Sequence, residues 1–119
     1  MLKISFLGDS ITEGAGAPHY LKSFVKLFEK KTGHIVFNYG VSGACFTEAE
    51  QKRHNRCDFT ITNRAKEVYA GSDFIFVLGG TNDYGNFNFP IGKINDIGGK
   101  TFYGSLNVFC KNILKKFGV

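Results

Sequence analysis

At 119 residues the chain has room for one domain, expected to bury roughly two-thirds of the surface its unfolded form exposes. Thirteen Phe and a 43% hydrophobic content exclude a disordered segment. The net charge of +5 comes largely from lysines scattered over helix faces, with no Arg-rich or base-stacking motif, so nucleic-acid binding is not expected.

The apolar run Leu2-Lys3-Ile4-Ser5-Phe6-Leu7 reads as a first strand that Gly8 breaks. Gly8-Asp9-Ser10 stands at its end. A tight turn at a strand end lifts a serine hydroxyl clear of the backbone, which makes Ser10 the first residue to suspect of chemistry. Taken alone, the tripeptide is also ordinary turn vocabulary. A loop from Gly8 to Ala17 precedes a helix opened by Pro18 and closed by Gly33. Leu21, Phe24, Val25 and Phe28 have the spacing of its buried face. His34–Asn38 reads as a second strand, followed by a long loop from Tyr39 to about Ile61. A short helix over Asn63–Ala70 is expected to stop at Gly71. Asp73–Leu78 is the most apolar strand and lacks alternation, as expected of a central parallel strand covered on both faces. A Gly- and Asn-rich loop then runs to about Thr101. The last helix, about Phe102 to Phe117, aligns Leu106, Phe109, Cys110, Ile113, Leu114 and Phe117 on one face.

Strand and helix alternate three times, which predicts an α/β domain with a parallel sheet. Right-handed crossovers put the carboxyl ends of parallel strands along one edge. The loops leaving those ends begin Gly8-Asp9-Ser10, Tyr39-Gly40-Val41-Ser42-Gly43 and Gly79-Gly80-Thr81-Asn82-Asp83. With strand order 2-1-3 the reversal falls between the first and third strands, so Ser10 and Asn82 are expected to face one crevice.

These three blocks, in this order, resemble those of the SGNH (GDSL) hydrolases, a family of esterases and lipases. The likeness runs from Leu2 to about Asp83 through Gly-Asp-Ser-Ile-Thr, Asn-Tyr-Gly-Val-Ser-Gly and Gly-Gly-Thr-Asn-Asp, the last being the most specific. The resemblance implies a flavodoxin-like parallel sheet with helices on both faces, here a single domain over 1–119. It implies Ser10 as nucleophile, with the Ser10 N–H, the Gly43 N–H and the Asn82 side-chain amide as oxyanion hole. The substrate would be a carboxylic ester, such as an acylated carbohydrate or a small lipid ester. Chemistry agrees with these roles: the tetrahedral oxyanion of acyl transfer needs donors fixed before the charge develops. Gly43 lets the backbone approach an oxygen closely, and Asn82 supplies an uncharged donor. Asp9, next to Ser10, is expected to hold the turn by accepting backbone N–H groups, not to act in a triad. Asp83 is expected to brace its own loop, and Thr12 and Asn38 are candidates for similar bracing.

The Asp-x-x-His block that supplies the family's general base and its carboxylate is absent from these 119 residues. His34 begins the second strand, at the amino edge. His19 and His54 lie on the correct side but have no carboxylate at a fixed spacing. The resemblance leads one to expect further strands after Val119, so the third strand would stand at an edge, with unpaired backbone groups seeking a partner. Three arrangements satisfy that edge: a longer polypeptide, a complementing second chain, or a homodimer. Cys45, Cys57 and Cys110 lack metal spacing and read as buried free thiols. No metal or cofactor is expected. With neither a signal region nor a membrane span, the expected location is cytoplasmic. Two other functions compete with ester hydrolysis. One is a non-catalytic remnant that binds a ligand or partner. The other is a phosphate- or flavin-binding module using Gly8, Gly14 and Gly16.

Overall fold

Three strands, β1 (Lys3–Gly8), β2 (Ile35–Gly40) and β3 (Phe74–Leu78), form a parallel sheet in the order β2-β1-β3. The register sets Ser5 beside Phe37 on one side and Ile75 on the other. Gly8, Gly40 and Leu78 therefore end together at the carboxyl edge. Strand order, parallel direction and common edge are those predicted, and the architecture is flavodoxin-like α/β. The computed structural model describes residues 1–48, 60–85 and 88–119. These fall into two units, Met1–Gly43 with Val68–Leu78, and Ala44–Glu67 with Gly79–Val119.

The first unit contains the sheet. β1 is central and buried on both faces, with Ile4 and Phe6 on one and Ser5 and Leu7 on the other. Phe6 gathers the aromatic core. Its ring meets Phe24 and Phe28 edge-on at 5.8 and 5.4 Å and stacks on Phe76 at 5.2 Å. Phe24 and Phe28 lie on helix α2 (Phe24–Thr32), whose Val25 is 1% exposed.

The helix expected from Pro18 to Gly33 is interrupted at Ser23. A 3-10 turn at Tyr20–Lys22 ends there, and the Ser23 hydroxyl accepts the Lys26 N–H as the N-cap of α2. Leu21 consequently sits on the turn and is exposed, instead of sharing the buried face. Gly33 closes α2 in the left-handed region, as expected. β3 also departs from the covered strand its composition suggests. Among the described residues it pairs only with β1, and Phe74, Phe76, Val77 and Leu78 are 54, 51, 38 and 48% exposed.

In the second unit Phe46 packs edge-on against Phe102 and Phe109 at 5.9 and 5.6 Å. Helix α3 (Ile61–Arg64) starts two residues before the expected Asn63, because the Thr60 hydroxyl caps the Asn63 N–H at 3.0 Å. It passes into a 3-10 turn at Ala65–Glu67 and ends before Ala70. A further helix, α4 (Thr81–Gly85), occupies part of what reads as loop. The last helix, α5 (Phe102–Lys116), agrees with expectation and is capped by Thr101. Its buried residues are Gly104, Ser105 and Phe109, while Cys110 and Leu114 are exposed. Of the thiols expected to be buried, Cys45 is buried, Cys110 is not, and Cys57 lies outside the described residues. The wide apolar stripe of α5 carries Cys110 beyond the part that Phe109 buries.

The approach to α5 is held by Asp96. Its carboxylate accepts the Lys93 N–H at 2.9 Å and the Thr101 hydroxyl at 3.0 Å. These bonds, the Lys93 amide first, hold its pKa below the ordinary 3.8, with desolvation acting in the opposite direction. A depressed folded-state pKa contributes stability above the unfolded value, and that contribution is lost as pH falls through the folded one. The Lys93 amide chemical shift is expected to titrate with a midpoint below 3.8, and an Asp96→Asn variant to show no such step.

Candidate active site

Ser10 opens a helical turn, α1 (Ser10–Glu13), where the sequence suggests only loop. Asp9 makes the turn possible. Its carboxylate, 1% exposed, accepts the Ile11 N–H at 2.9 Å as N-cap, which is the holding role expected of it. The Ser10 N–H belongs to the first amides of the turn, which no carbonyl within the helix can reach. Ser10 itself is half-buried.

Two glycines seat this turn on the sheet. A Cβ on Gly40 would stand 2.1 Å from the Glu13 nitrogen and 2.6 Å from the Thr12 carbonyl carbon. A Cβ on Gly8 would stand 2.3 Å from Thr12 Oγ1 and 2.5 Å from the Leu78 carbonyl oxygen. Asn38 ties the same place together, donating from Nδ2 to the Thr12 carbonyl at 2.9 Å and accepting the Gly40 N–H at 2.8 Å. Asn38 is thus the brace it was expected to be. Thr12 braces through its carbonyl instead of its side chain, since its buried hydroxyl has no partner among the described residues.

Gly43 has φ +80°, a conformation that favours glycine, and a Cβ there would meet nothing within 4 Å. Its preceding residue is tethered to α1. Glu13 Oε2 accepts the Ser42 N–H at 2.9 Å and also the Ser42 hydroxyl. The first unit therefore joins the turn that begins with Ser10 to the loop that ends in Gly43. Glu13 was not among the residues singled out from sequence. Nothing local links it to a partner 29 positions away.

Asn82 and Asp83 belong to the second unit, on α4, after Gly80 with φ +109°. Asn82 is 7% exposed and donates from Nδ2 to the Ala44 carbonyl at 3.0 Å. Asp83 is 3% exposed, and its two oxygens accept the Phe46 and Thr47 N–H groups at 3.0 and 2.9 Å. The expectation that Asp83 braces its own loop is corrected accordingly. Only its backbone carbonyl does so, taking the Phe89 N–H at 3.0 Å, while the carboxylate holds the segment just after Ala44. A buried carboxylate needs donors, and the two successive backbone N–H groups of Phe46 and Thr47 satisfy it.

His34 lies at the amino end of β2, as expected, where Nδ1 accepts the Leu2 N–H at 3.4 Å. His19 Nδ1 caps the Leu21 N–H at 3.3 Å. His54 is outside the described residues. Among the described residues no three His, Cys, Asp or Glu side chains gather as a metal site, and no helix is long and apolar enough to cross a membrane.

The sequence pattern of the GDSL-like lipase/acylhydrolase family matches residues 6–101. The fold is shared with solved structures. A Lactobacillus plantarum protein superposes with a TM-score of 0.77 at 26% identity, over 99% of this chain and 52% of its own. A Bacteroides ovatus protein assigned as a GDSL-like lipase gives 0.80 at 20% identity, over 98% of this chain and 68% of its own. A carbohydrate acetylesterase family member from Sinorhizobium meliloti gives 0.61 at 18% identity, over 99% and 52%. The chain thus spans about half the length of two of these structures. No curated protein matches the chain.

Seating α1 against bare backbone makes Gly40 the most sensitive glycine of the first unit. Gly40→Ala is expected to cost about 1–3 kcal/mol or more, because the added carbon meets backbone instead of a movable side chain. Gly85→Ala, with open space around it, is expected to stay within about 0.5 kcal/mol. Urea-unfolding midpoints of the two variants check the difference.

Proposed function

Because the chain belongs to the GDSL-like lipase/acylhydrolase family, we propose that it carries the nucleophile and oxyanion hole of a carboxylic ester hydrolase. The family match across residues 6–101, which spans all three loop blocks, is the observation that carries this reading. Ser10 Oγ attacks the acyl carbon, and the carbonyl electron pair moves onto oxygen. The N–H groups of Ser10 and Gly43 and the amide of Asn82 receive that negative charge. Collapse restores the carbonyl and breaks the bond to the alcohol, which leaves with the proton taken from Ser10. Water then attacks the acyl-serine by the same route and releases the acid. An acylated carbohydrate or small lipid ester is the proposed substrate class.

The general base is proposed to come from outside the described residues, since His19 and His34 use Nδ1 to cap backbone amides. The same observation favours a second reading, a non-catalytic member that retains the pocket and binds ligand without turnover. Loss of such a base costs on the order of a millionfold in turnover, while oxyanion stabilisation leaves about a thousandfold over water. The 119-residue chain is therefore expected to hydrolyse p-nitrophenyl acetate slowly. Ser10→Ala is expected to abolish both this turnover and labelling by a fluorophosphonate. Adding a segment that carries Asp-x-x-His should raise the rate. Fast turnover by the chain alone, lost on His54→Ala, would identify a local base instead. No Ser10-dependent reaction in any form would favour the binding reading.

We propose further that the open side of β3 is covered in the assembled protein, by a complementing segment or a second copy of the chain. Its exposed Phe74, Phe76 and Leu78 support this, together with a strand edge that, among the described residues, is paired on one side only. Light scattering is expected to report a dimer or larger species for the chain alone. A monomer at all concentrations would count against it.

A further inference from the structure

Glu13 has no role in the chemistry described so far, yet it makes one of the contacts that join the two loop blocks of the first unit, beside the Asn38 bond to the Thr12 carbonyl and the Val41 N–H on the Gly8 carbonyl at 3.1 Å. Its side chain is exposed, so burial does not explain its orientation. A single oxygen, Oε2, takes both donors of Ser42, the backbone N–H at 2.9 Å and the hydroxyl. Hydrogen bonds to an ionised carboxylate are shorter and stronger than neutral ones, and two from one residue restrain its rotation as well as its distance. Ser42 is bonded directly to Gly43. Gly43, with φ +80° and open space beside its Cα, has the freest backbone of any residue type, so what holds Ser42 bears on the direction of the Gly43 N–H.

The other end of the contact is firm. Glu13 closes the turn that Ser10 opens, with its N–H on the Asp9 carbonyl at 3.0 Å. Its backbone nitrogen lies against Gly40, where no side chain fits. One short helix thus holds the proposed nucleophile at its first residue and the tether of a proposed oxyanion donor at its last. A displacement of Ser10 would carry the tether with it.

We propose that Glu13 is a positioning residue for ester hydrolysis: by gripping Ser42 it sets the aim of the Gly43 N–H relative to Ser10. This rests on the reading of Ser10 and Gly43 as nucleophile and oxyanion donor, and it adds a residue that touches neither substrate nor reacting atoms. The carboxylate itself forms no bond to the ester. Its charge is taken up by the two donors of Ser42.

The test uses the 119-residue chain and its Glu13→Ala, Glu13→Gln and Ser42→Ala variants. Amide exchange by nuclear magnetic resonance is read at Ser42 and Gly43, and p-nitrophenyl acetate turnover beside it. Removing one oxyanion donor costs about a hundred- to a thousandfold in kcat, so misaiming one is expected to cost about ten- to a hundredfold. Glu13→Ala is expected to lower kcat by that factor with KM changed less than about threefold, because the interaction is made in the transition state. Exchange at Ser42 and Gly43 should rise about tenfold or more, with the melting temperature little changed. Glu13→Gln keeps an oxygen that accepts both donors and should restore most of both readouts. Ser42→Ala should add little to the effect of Glu13→Ala, since the two act through one contact.

Unchanged exchange at Ser42 and Gly43 in Glu13→Ala would overturn the tether. Increased exchange with unchanged Ser10-dependent kcat would overturn the positioning role. A fall in kcat matched by a fall in melting temperature, and not rescued by Glu13→Gln, would reduce Glu13 to a structural residue. Turnover that does not depend on Ser10 would refute the functional reading instead. The exchange data would then judge the tether alone, with accelerated exchange at Gly43 supporting it and unchanged exchange ending it.

Discussion

Backbone lies directly on backbone where α1 crosses the carboxyl edge of the sheet, and the geometry of the first unit follows from that contact. Strand ends of ordinary composition would hold a helix away by the depth of a side chain. At Gly8 and Gly40 there is none, and α1 drops into the space. The gain is in definition. A turn of four residues has almost no intrinsic stability, so its position must come from what surrounds it. Asp9 caps one end, Asn38 holds the Thr12 carbonyl, and Glu13 reaches to Ser42. Ser10 is held by a turn clamped at several points, with none of the freedom of an exposed loop.

Polar side chains do much of this work from buried positions. Asp9, Asn82 and Asp83 are each less than a tenth exposed, and each is directed at backbone groups. Leaving a carboxylate buried without donors is costly, and the two amide N–H groups on Asp83 make that one a strong anchor, whereas Asp9 is held by the Ile11 N–H on one oxygen. In the second unit Asn82 and Asp83, adjacent on α4, bind opposite kinds of group along one segment. The amide takes the Ala44 carbonyl, and the carboxylate takes the Phe46 and Thr47 N–H groups. The segment is gripped by alternating polarity, which fixes its register against a slip of one residue.

Aromatic packing has a different distribution. Phe6 and Phe46 each organise a cluster of edge-on rings, one in each unit. Around Phe6 the cluster reaches out to Phe24 and Phe76, which remain about half exposed. That core is sheltered by α2 on one side of its ring and open along β3. β3 has the composition of a covered strand in an uncovered setting. The chain spans about half the length of two solved structures that share its fold.

Strand positions, their order and their common carboxyl edge were legible in the sequence, as were the three blocks and the family they mark. These rest on local signals: an apolar run, a glycine that ends it, and the handedness of a crossover. Ser23 interrupting the first helix and Thr60 starting α3 were also local, since each is a hydroxyl just before a helix, but stronger apolar spacing masked them. The tether from Glu13 to Ser42 and the anchor from Asp83 to Phe46 were not legible at all. They bridge 29 and 37 positions. Neither residue type announces its partner, because an exposed glutamate and a loop aspartate have many equivalent destinations until the chain has folded. Gly40 shows the division most clearly. Its place beside a motif could be read from the sequence, but its reason, a helix backbone 2.1 Å from where a side chain would begin, exists only once the turn and the strand have met.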